Sequence, residues 1–371
     1  MVITTVDSAF WRGRQVLLTG HTGFKGSWLT LWLQQLGAEV HGLALEPETV
    51  DLPAKPLFDD LDLAQRMDHR HRIGDIRDPD TVQAAVDAAQ PDVVFHLAAQ
   101  PLVRRSYSDP LGTWSINVQG SLVLLEALKS LRQACSVVLI TTDKVYANRE
   151  WDWGYREDDR LGGHDPYSAS KAAMELMVSS WRSSFCGAAA HQTSRLAIAT
   201  ARAGNVIGGG DWAVDRIVPD AMRSLALGQS IEVRNPQATR PWQHVLEPLS
   251  GYLRLAQQLT VAPRPHSTSY NFGPASESNR SVRELVDQLI LRWPAGRGSR
   301  DVSDPSAPHE AGLLHLVADR AHKQLGWRPR WDFPTTVAQT ADWYRSVHEG
   351  KAAFDCCLDD FQAYMTAADD L

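Results

Sequence analysis

The chain has 371 residues, a formal net charge of −7 and a sequence pI of about 6.0. This acidic balance argues against nucleic acid or an anionic membrane as a partner. No apolar run approaches the roughly 20 residues of a membrane span. The N-terminus lacks a basic and then apolar leader, so we expect a cytoplasmic protein. The spacing of the four cysteines suggests neither a disulfide framework nor a zinc site, and we expect no metal.

The first half of the chain alternates short apolar runs with helical patterns. Strands are predicted at 16–18, 37–45, 92–99, 135–142 and 194–202, and helices at 27–36, 81–89, 114–131 and 167–185. Residues 47–70 are rich in Pro and Asp and are predicted to form a loop with some helix. Regular alternation with nearly continuous apolar strands predicts an α/β fold with a doubly wound parallel sheet of the Rossmann type.

The pattern changes after about residue 204. Helices are predicted at 216–227, 246–259 and 281–292, among short strands and a Pro- and Gly-rich loop over 294–312. We therefore predict a Rossmann domain and a smaller, mixed α/β substrate-binding domain. The predicted boundaries are 1–203 with a returning segment near 240–272 for the first domain, and 204–239 with 273–371 for the second.

A glycine turn lies between the first strand and the first long helix. Its glycines are spaced three apart, as Gly20-x-x-Gly23-x-x-Gly26. Glycine permits positive φ and lets a phosphate approach the unpaired amides at the start of a helix, where the helix dipole also favours an anion. The alternative is a tight start to a helix with no ligand. The turn therefore predicts a site for the pyrophosphate of a dinucleotide.

Two acids fit the adenosine half of such a ligand. Glu46 follows the second strand and is a candidate for the ribose. No basic residue lies in 42–46 to meet a 2′-phosphate, which favours NAD over NADP. Asp75 is a candidate acceptor for the adenine amino group, or a helix-capping acid.

Two polar stretches lie near the carboxyl ends of predicted strands, where open α/β sheets bind ligands. The first runs from Thr141 to Tyr146 and the second from Asp165 to Lys171. Tyr167 and Lys171 are four residues apart and share one face of a helix. A nearby ammonium favours phenolate, so we expect a lowered tyrosine pKa and a general base for a hydroxyl. The alternative is an ordinary surface pair.

These residues together resemble the extended short-chain dehydrogenase/reductase family of nucleotide-sugar epimerases and dehydratases. The matching motifs are Thr19-Gly-x-x-Gly-Phe-x-Gly26, His96-Leu-Ala-Ala99, Asn117 and Tyr167-x-x-x-Lys171. More specific stretches, rich in Trp and Arg, are 149–156, 202–212 and 240–249, and the resemblance covers nearly the whole chain. It points to the branch that dehydrates CDP-glucose.

The resemblance implies a reaction with resident NAD. Tyr167 removes the 4-hydroxyl proton while C4 passes a hydride to NAD, and Thr142 holds the 4-oxygen. Water is lost across C5 and C6, the hydride returns to C6, and the product is a CDP-4-keto-6-deoxyglucose that supplies deoxysugars for surface polysaccharide. In dTDP-glucose relatives an Asp-Glu pair serves the elimination, whereas this chain has Asp143 and Lys144.

The resemblance also implies further binding residues and a dimer or tetramer built on helices 114–131 and 167–185. The implied catalytic residues are Thr142, Asp143, Lys144, Tyr167 and Lys171. The implied NAD contacts are Gly20, Thr22, Gly23, Phe24, Lys25, Gly26, Asp75, Ile76, Leu97, Ala98, Ala99, Thr141, Tyr167 and Lys171. The implied substrate contacts are Gln100, Arg104, Asn205, Arg234, Arg240 and His309. The family commonly has an acid where this chain has Ala44, and Glu46 is offset from it by two residues.

Lys144 is the unusual residue of the expected site. An ammonium at its free pKa of about 10.4 is no base at pH 7. Lys144 must therefore lose its proton through desolvation, or act as an acid or electrostatic stabiliser of an enolate. Three alternative functions stay open. They are a nucleotide-sugar 4-epimerase, a non-catalytic NAD-binding protein, and a dehydratase for a GDP- or dTDP-sugar.

Overall fold

The structure is a computed structural model that describes residues 6–48, 55–186, 195–293, 297–304 and 313–367. Its strands are β1 Gln15–Thr19, β2 Glu39–Ala44, β3 His71–Ile73, β4 Val93–His96, β5 Cys135–Ile140, β6 Leu196–Ala203, β7 Val206–Ile207, β8 Ile231–Val233, β9 Thr239–Pro241, β10 Gln243–His244, β11 Ser269–Phe272, β12 Asn279–Ser281 and β13 Ser299–Asp301. Its helices are α1 Ser8–Trp11, α2 Phe24–Gln35, α3 Leu57–Asp60, α4 Leu63–Met67, α5 Pro79–Ala89, α6 Val103–Ser108, α7 Pro110–Trp114, α8 Ser121–Leu128, α9 Pro166–Trp181, α10 Ile217–Ala226, α11 Leu246–Val261, α12 Pro263–His266, α13 Val282–Leu291, α14 Phe333–His348 and α15 Ala353–Thr366.

A seven-stranded parallel sheet organises the fold. Its strand order is β11-β6-β5-β4-β1-β2-β3, with β1 between β2 and β4 and every neighbouring pair parallel. Every residue of β4, β5 and β6 is buried, as expected for strands covered on both faces. The predicted doubly wound Rossmann sheet is therefore confirmed. The carboxyl ends of β1, β4, β5 and β6 meet at one edge, where the polar loops lie.

The remainder of the chain adds three two-stranded sheets, which pair β7 with β10, β8 with β13, and β9 with β12. Within the predicted returning segment, β11 joins the large sheet beside β6. The C-terminal helices α14 and α15 were not predicted from the sequence. Phe361 of α15 packs against Trp28 of α2 with ring centroids 5.4 Å apart. One apolar core therefore runs from the sheet into the C-terminal part. None of the helices in the described ranges is long and apolar enough to cross a membrane.

Two helices at the polar edge begin differently. The first turn of α9 is capped, because Asp165 accepts a hydrogen bond from the Ser168 amide at 2.9 Å and Pro166 occupies the first helical position. By contrast, α2 begins after Gly23, which offers no side-chain cap. The first amides of α2 are thus left for another acceptor. Between α7 and α8 the chain forms a π-helical segment, Ser115–Gly120, a feature that often marks a functional site.

We expect Gly26→Ala to destabilise the fold strongly and Gly23→Ala to change stability little. A Cβ on Gly26 would lie 2.0 Å from the Gly20 carbonyl oxygen, whereas the nearest atom to a Cβ on Gly23 is 3.5 Å away. Overpacking of this kind costs about 1–3 kcal/mol or more. Thermal unfolding of both variants checks this, and equal melting temperatures would contradict it.

Candidate active site

One cleft of about 1020 Å³ lies at the carboxyl edge of the large sheet and continues between it and the smaller part of the chain. All of the expected catalytic and cofactor residues line it. They are Gly20, Thr22, Gly23, Phe24, Lys25, Gly26, Asp75, Ile76, Leu97, Ala98, Ala99, Thr141, Thr142, Asp143, Lys144, Tyr167 and Lys171. Residues more than a hundred positions apart in sequence therefore share one site.

The glycine turn forms a narrow cradle at one end of this cleft. Gly20 has φ of 78°, and a Cβ there would lie 2.7 Å from the Ala98 amide nitrogen. Gly23 precedes α2 and is exposed. The turn therefore packs against the loop after β4 on one side and presents uncapped amides to the cleft on the other. This arrangement fits an anionic group such as a pyrophosphate.

Buried hydrogen bonds hold the loop after β4 in place. His96 bonds the Thr19 hydroxyl at 2.7 Å through Nδ1 and the Ser121 hydroxyl at 2.8 Å through Nε2. Asn117, on the π-helical segment, accepts from the Gln100 amide at 2.9 Å and donates to the Ser170 hydroxyl at 2.9 Å. Burial lowers the pKa of His96 to about 3, so the ring is neutral. These contacts tie the loop to α9.

Thr142, Asp143 and Lys144 follow β5 and face Tyr167 at the inner end of the cleft. The Thr142 hydroxyl donates to Asp143 Oδ1 at 2.9 Å, and it also acts to lower the pKa of the Tyr167 phenol. Lys144 Nζ lies 3.8 Å from Asp143 Oδ1. Asp143 is 1% exposed, yet none of the described residues bonds its Oδ2. A buried carboxylate oxygen is thus left for a group in the cleft.

The expected effect of Lys171 on Tyr167 is not present in the structure. Lys171 Nζ donates to the Ile140 carbonyl at 3.1 Å, and burial raises the pKa of Tyr167 to about 12. The groups that lower this pKa are the Thr142 hydroxyl and the charge of Arg216. Burial also lowers the pKa of Lys171 to about 8, with a contribution from Lys25. The bond to Ile140 thus directs the lysine side chain to the end of β5.

A buried ion pair lies beneath these groups. Glu175, on the same face of α9 as Tyr167 and Lys171, pairs with Arg202 of β6 at 2.8 Å. Its carboxylate also accepts from Thr141 at 2.6 Å and from Thr200 at 2.8 Å. Arg202, the first residue of the motif 202–212, is therefore a structural residue.

Two charged residues of the cleft were missed in the sequence. Arg216, which precedes α10, pairs with Asp211 at 2.9 Å and lines the cleft. Its charge also acts on Lys25, whose pKa falls to about 8, chiefly through burial. The sequence contained a signal for Arg216 and Asp211, because both residues follow the glycine run 208–210 and lie near the predicted start of a helix at 216.

Three arginines line the far end of the cleft, where a substrate was expected. Arg234 Nη1 donates to Asp215 Oδ1 at 2.5 Å, and Arg104 Nη1 lies 3.7 Å from the same oxygen. Arg240 donates to the Thr239 carbonyl at 2.8 Å. Asn205 also lines the cleft and follows Gly204, where a Cβ would lie 3.1 Å from Asp143 Oδ2. Arg104 comes from the sheet side and Arg234 from the smaller part, so the two sides of the cleft meet at Asp215.

Other expected contacts are placed differently. Gln100 lines the cleft, but its amide bonds Leu102 and the Thr113 hydroxyl. Tyr155 is buried in a stack with Tyr146, with centroids 5.1 Å apart, and Trp153 is 72% exposed. Neither residue is among those that line the cleft.

The two adenosine candidates line the cleft, and one expected substrate contact is not described. Glu46 lines the wall beside Leu45. Asp75 lines it too, and hydrogen bonds from Arg77 lower its pKa. His309 lies outside the described residues.

Comparisons with known proteins agree with this architecture. The family model described as GDP-mannose 4,6 dehydratase matches residues 17–340. A CDP-glucose 4,6-dehydratase from Salmonella typhimurium is 45% identical over 98% of this chain and 99% of its own length.

Two solved structures share the fold at lower identity. An epimerase from Methanothermobacter thermautotrophicus has a TM-score of 0.74 at 21% identity, covering 93% of this chain and 96% of its own. A dTDP-glucose 4,6-dehydratase from Streptomyces venezuelae, solved with NAD and TYD bound, has a TM-score of 0.71 at 24% identity, covering 89% and 97%.

We expect Lys25→Met to raise the free energy of unfolding of nucleotide-free protein at pH 7 by about 1–3 kcal/mol. At that pH folding buries a protonated amine, whose pKa is lowered from 10.5 to about 8. Between these values the unfolded chain binds more protons than the folded one, so the wild type gains stability as pH rises and the difference shrinks.

Urea unfolding at pH 7 and pH 9.5 measures this difference, with the exposed Lys323→Met as control. A Lys25→Met variant less stable than the wild type at pH 7 would refute the expectation.

Proposed function

We propose a function from one premise: the chain belongs to the GDP-mannose 4,6 dehydratase family. The enzyme is an NAD-dependent hydro-lyase that converts CDP-glucose to CDP-4-keto-6-deoxyglucose. The observation that carries this proposal is the buried Asp143 Oδ2, which has no partner among the described residues and adjoins Thr142 and Tyr167. Dehydration needs an acid at the departing hydroxyl, whereas 4-epimerisation does not. The 45% identity to a CDP-glucose 4,6-dehydratase supports the nucleotide.

The residues of the cleft fit NAD. The glycine cradle, in which a Cβ on Gly20 or Gly26 would meet backbone, suits the pyrophosphate at the uncapped start of α2. Asp75, Ile76 and the segment 97–99 would hold the adenosine half and the middle of the dinucleotide. When bound, NAD takes up a hydride from C4 and returns it to C6, so it is regenerated in each turnover.

The side chains after β5 and at the start of α9 supply the proton transfers. Tyr167 removes the proton of the 4-hydroxyl. Burial raises its pKa to about 12, and the Thr142 hydroxyl and the positive charge of Arg216 act in the opposite direction by favouring the phenolate. Thr142 holds the 4-oxygen. Asp143 first receives a proton from Lys144, whose Nζ lies 3.8 Å from Oδ1, and then donates that proton to the C6 oxygen as the C6–O bond breaks, so that the hydroxyl leaves as water. A polar side chain enclosed in this way can act without competing solvent.

Lys144 acts at C5. Its ammonium lies 3.8 Å from the Asp143 carboxylate, and its side chain is 26% exposed. The C5 proton is acidic once C4 is a ketone, and the charge that develops on the enolate is what a lysine can stabilise. Having passed a proton to Asp143, the neutral amine takes the C5 proton and becomes the ammonium that stabilises the enolate. Both roles place Lys144 in the elimination and leave the first oxidation to Tyr167.

The far end of the cleft would hold the nucleoside diphosphate. Arg104, Arg234 and Arg240 come from three separate segments and line the cleft, as does Asn205. Guanidinium groups bind phosphate oxygens through paired, charge-assisted hydrogen bonds. Asn205 adds an amide to this set. This end of the cleft therefore suits the diphosphate, and the glucosyl group points toward Tyr167.

Incubation of the purified protein with CDP-glucose should yield a 4-keto sugar, detected by its absorbance at alkaline pH. Parallel reactions with dTDP-glucose, GDP-mannose and UDP-glucose test the nucleotide. Product from CDP-glucose alone is the expected result. A C4 epimer without keto product would support the epimerase instead, and absence of turnover with NAD still bound would support a binding protein.

The same reaction separates the two proton-transfer steps. Tyr167→Phe should lower the first oxidation by about 10²–10⁴-fold, seen as missing NADH absorbance after mixing with substrate. Lys144→Ala should let that absorbance form but abolish the 6-deoxy product. A Lys144→Ala variant with most of the wild-type turnover would refute the assigned role.

We also propose that the protein assembles at least as a dimer through α7, α8 and α9. Leu111 and Trp114 on α7, Leu122 on α8 and Leu176 on α9 are 85%, 42%, 40% and 61% exposed. Helix α7 packs against α9, and the π-helical segment Ser115–Gly120 contacts α7, α8 and α9. Neighbouring exposed apolar side chains of this size mark an interaction surface. Two copies related by a twofold axis would bury them against each other.

Leu176→Asp should therefore convert the assembly to monomers, because a carboxylate would be desolvated at the interface. Light scattering coupled to gel filtration measures the mass. Leu291→Asp on α13, where the leucine is 77% exposed, is the matched control and should leave the mass unchanged. A monomeric wild type would contradict the proposed assembly.

A further inference from the structure

We infer that Asp215 occupies the place of the substrate's diphosphate between Arg104 and Arg234, and that it must be displaced when the nucleotide sugar binds. Asp215 is thus a specificity-determining residue that sets the affinity of the cleft for the diphosphate. The inference rests on the proposed function, in which these arginines bind a nucleoside diphosphate.

The Asp215 carboxylate lies between two guanidinium groups, where an anionic ligand would otherwise bind. Its Oδ1 accepts from Arg234 Nη1 at 2.5 Å and lies 3.7 Å from Arg104 Nη1. Arg234 Nη2 also donates to the Asp215 carbonyl at 3.0 Å. One carboxylate oxygen therefore takes a hydrogen bond from one guanidinium and the charge of another, from opposite sides of the cleft. All three residues line the cleft.

A phosphate group and this carboxylate cannot use the same donors together. Charge-assisted hydrogen bonds from guanidinium groups are the strongest contacts that either anion can make here. A phosphate group bound at these arginines would also be repelled by the adjacent Asp215 carboxylate. The Asp215 side chain is 42% exposed, so water is available to it once it turns away. Binding of the diphosphate therefore exchanges one anion for another at the two arginines.

The backbone of Asp215 permits a clean test. Its φ is 64°, a left-handed conformation that Asp and Asn adopt more readily than most residues. Asp215→Asn therefore keeps the backbone and the shape of the side chain and removes only the charge. A second acid that lines the cleft, Glu232, pairs with Arg300 and supplies a matched loss of charge at a carboxylate whose ion pair is with neither Arg104 nor Arg234.

Isothermal titration of the NAD-bound enzyme with CDP tests the inference. Asp215→Asn should lower the Kd of CDP by about three- to ten-fold, the range expected for one charge-assisted contact that no longer competes. The KM of CDP-glucose should fall in parallel. Cytidine carries no phosphate, and its affinity should stay within about two-fold in a competition assay. Glu232→Gln should leave the Kd of CDP unchanged at the same ionic strength.

The outcomes separate this inference from the proposed function. If the wild type dehydrates CDP-glucose but Asp215→Asn binds CDP no more tightly, or more weakly, Asp215 holds the arginines in place and the inference is wrong. Equal gains with Asp215→Asn and Glu232→Gln would show a general effect of charge and would also overturn it. A wild type that neither binds CDP nor forms product would overturn both the inference and the function.

Discussion

The buried ion pair between Glu175 and Arg202 is the contact on which the active-site geometry depends. Glu175 lies two turns along α9 from Tyr167, and Arg202 lies on β6. The carboxylate also accepts from Thr141, which immediately precedes Thr142. The pair thus joins the helix that carries the phenol to the strands whose ends carry the other reacting groups. Because both charges are enclosed, removing either one would leave the other unpaired in the interior.

The cleft next to this pair contains enclosed charged groups that lower the stability of the ligand-free protein. The pKa of Lys25 and that of Lys171 are both lowered to about 8, chiefly by burial. Asp143 keeps one carboxylate oxygen enclosed without a partner among the described residues. Groups of this kind are retained where a ligand supplies the missing partner. The proposed NAD and diphosphate carry the negative charge that the lysines and arginines require. The same residues therefore favour ligand binding and lower the stability of the ligand-free protein.

Much of the fold was predictable because the apolar pattern repeats locally. The strands at 16–18, 135–142 and 194–202 appear as β1, β5 and β6, since a strand buried on both faces must be apolar along its length. The C-terminal helices α14 and α15 escaped prediction. Their apolar residues pack on a partner distant in sequence, as Phe361 does on Trp28. Such packing overrides what a local pattern can show.

The sequence by itself determined the order of the motifs and hence the edge of the sheet at which they meet, because parallel strands bring their carboxyl ends together. It also determined the glycine turn, since a Cβ on Gly20 or Gly26 would overlap backbone atoms. Only the tertiary structure decided where the charges point. Lys171 donates a hydrogen bond to the Ile140 carbonyl, and Arg202 forms a buried ion pair with Glu175. The positive charge of Arg216 acts to lower the pKa of Tyr167. Long cationic side chains choose among partners by proximity in space, and that proximity is set by elements that are remote in the chain.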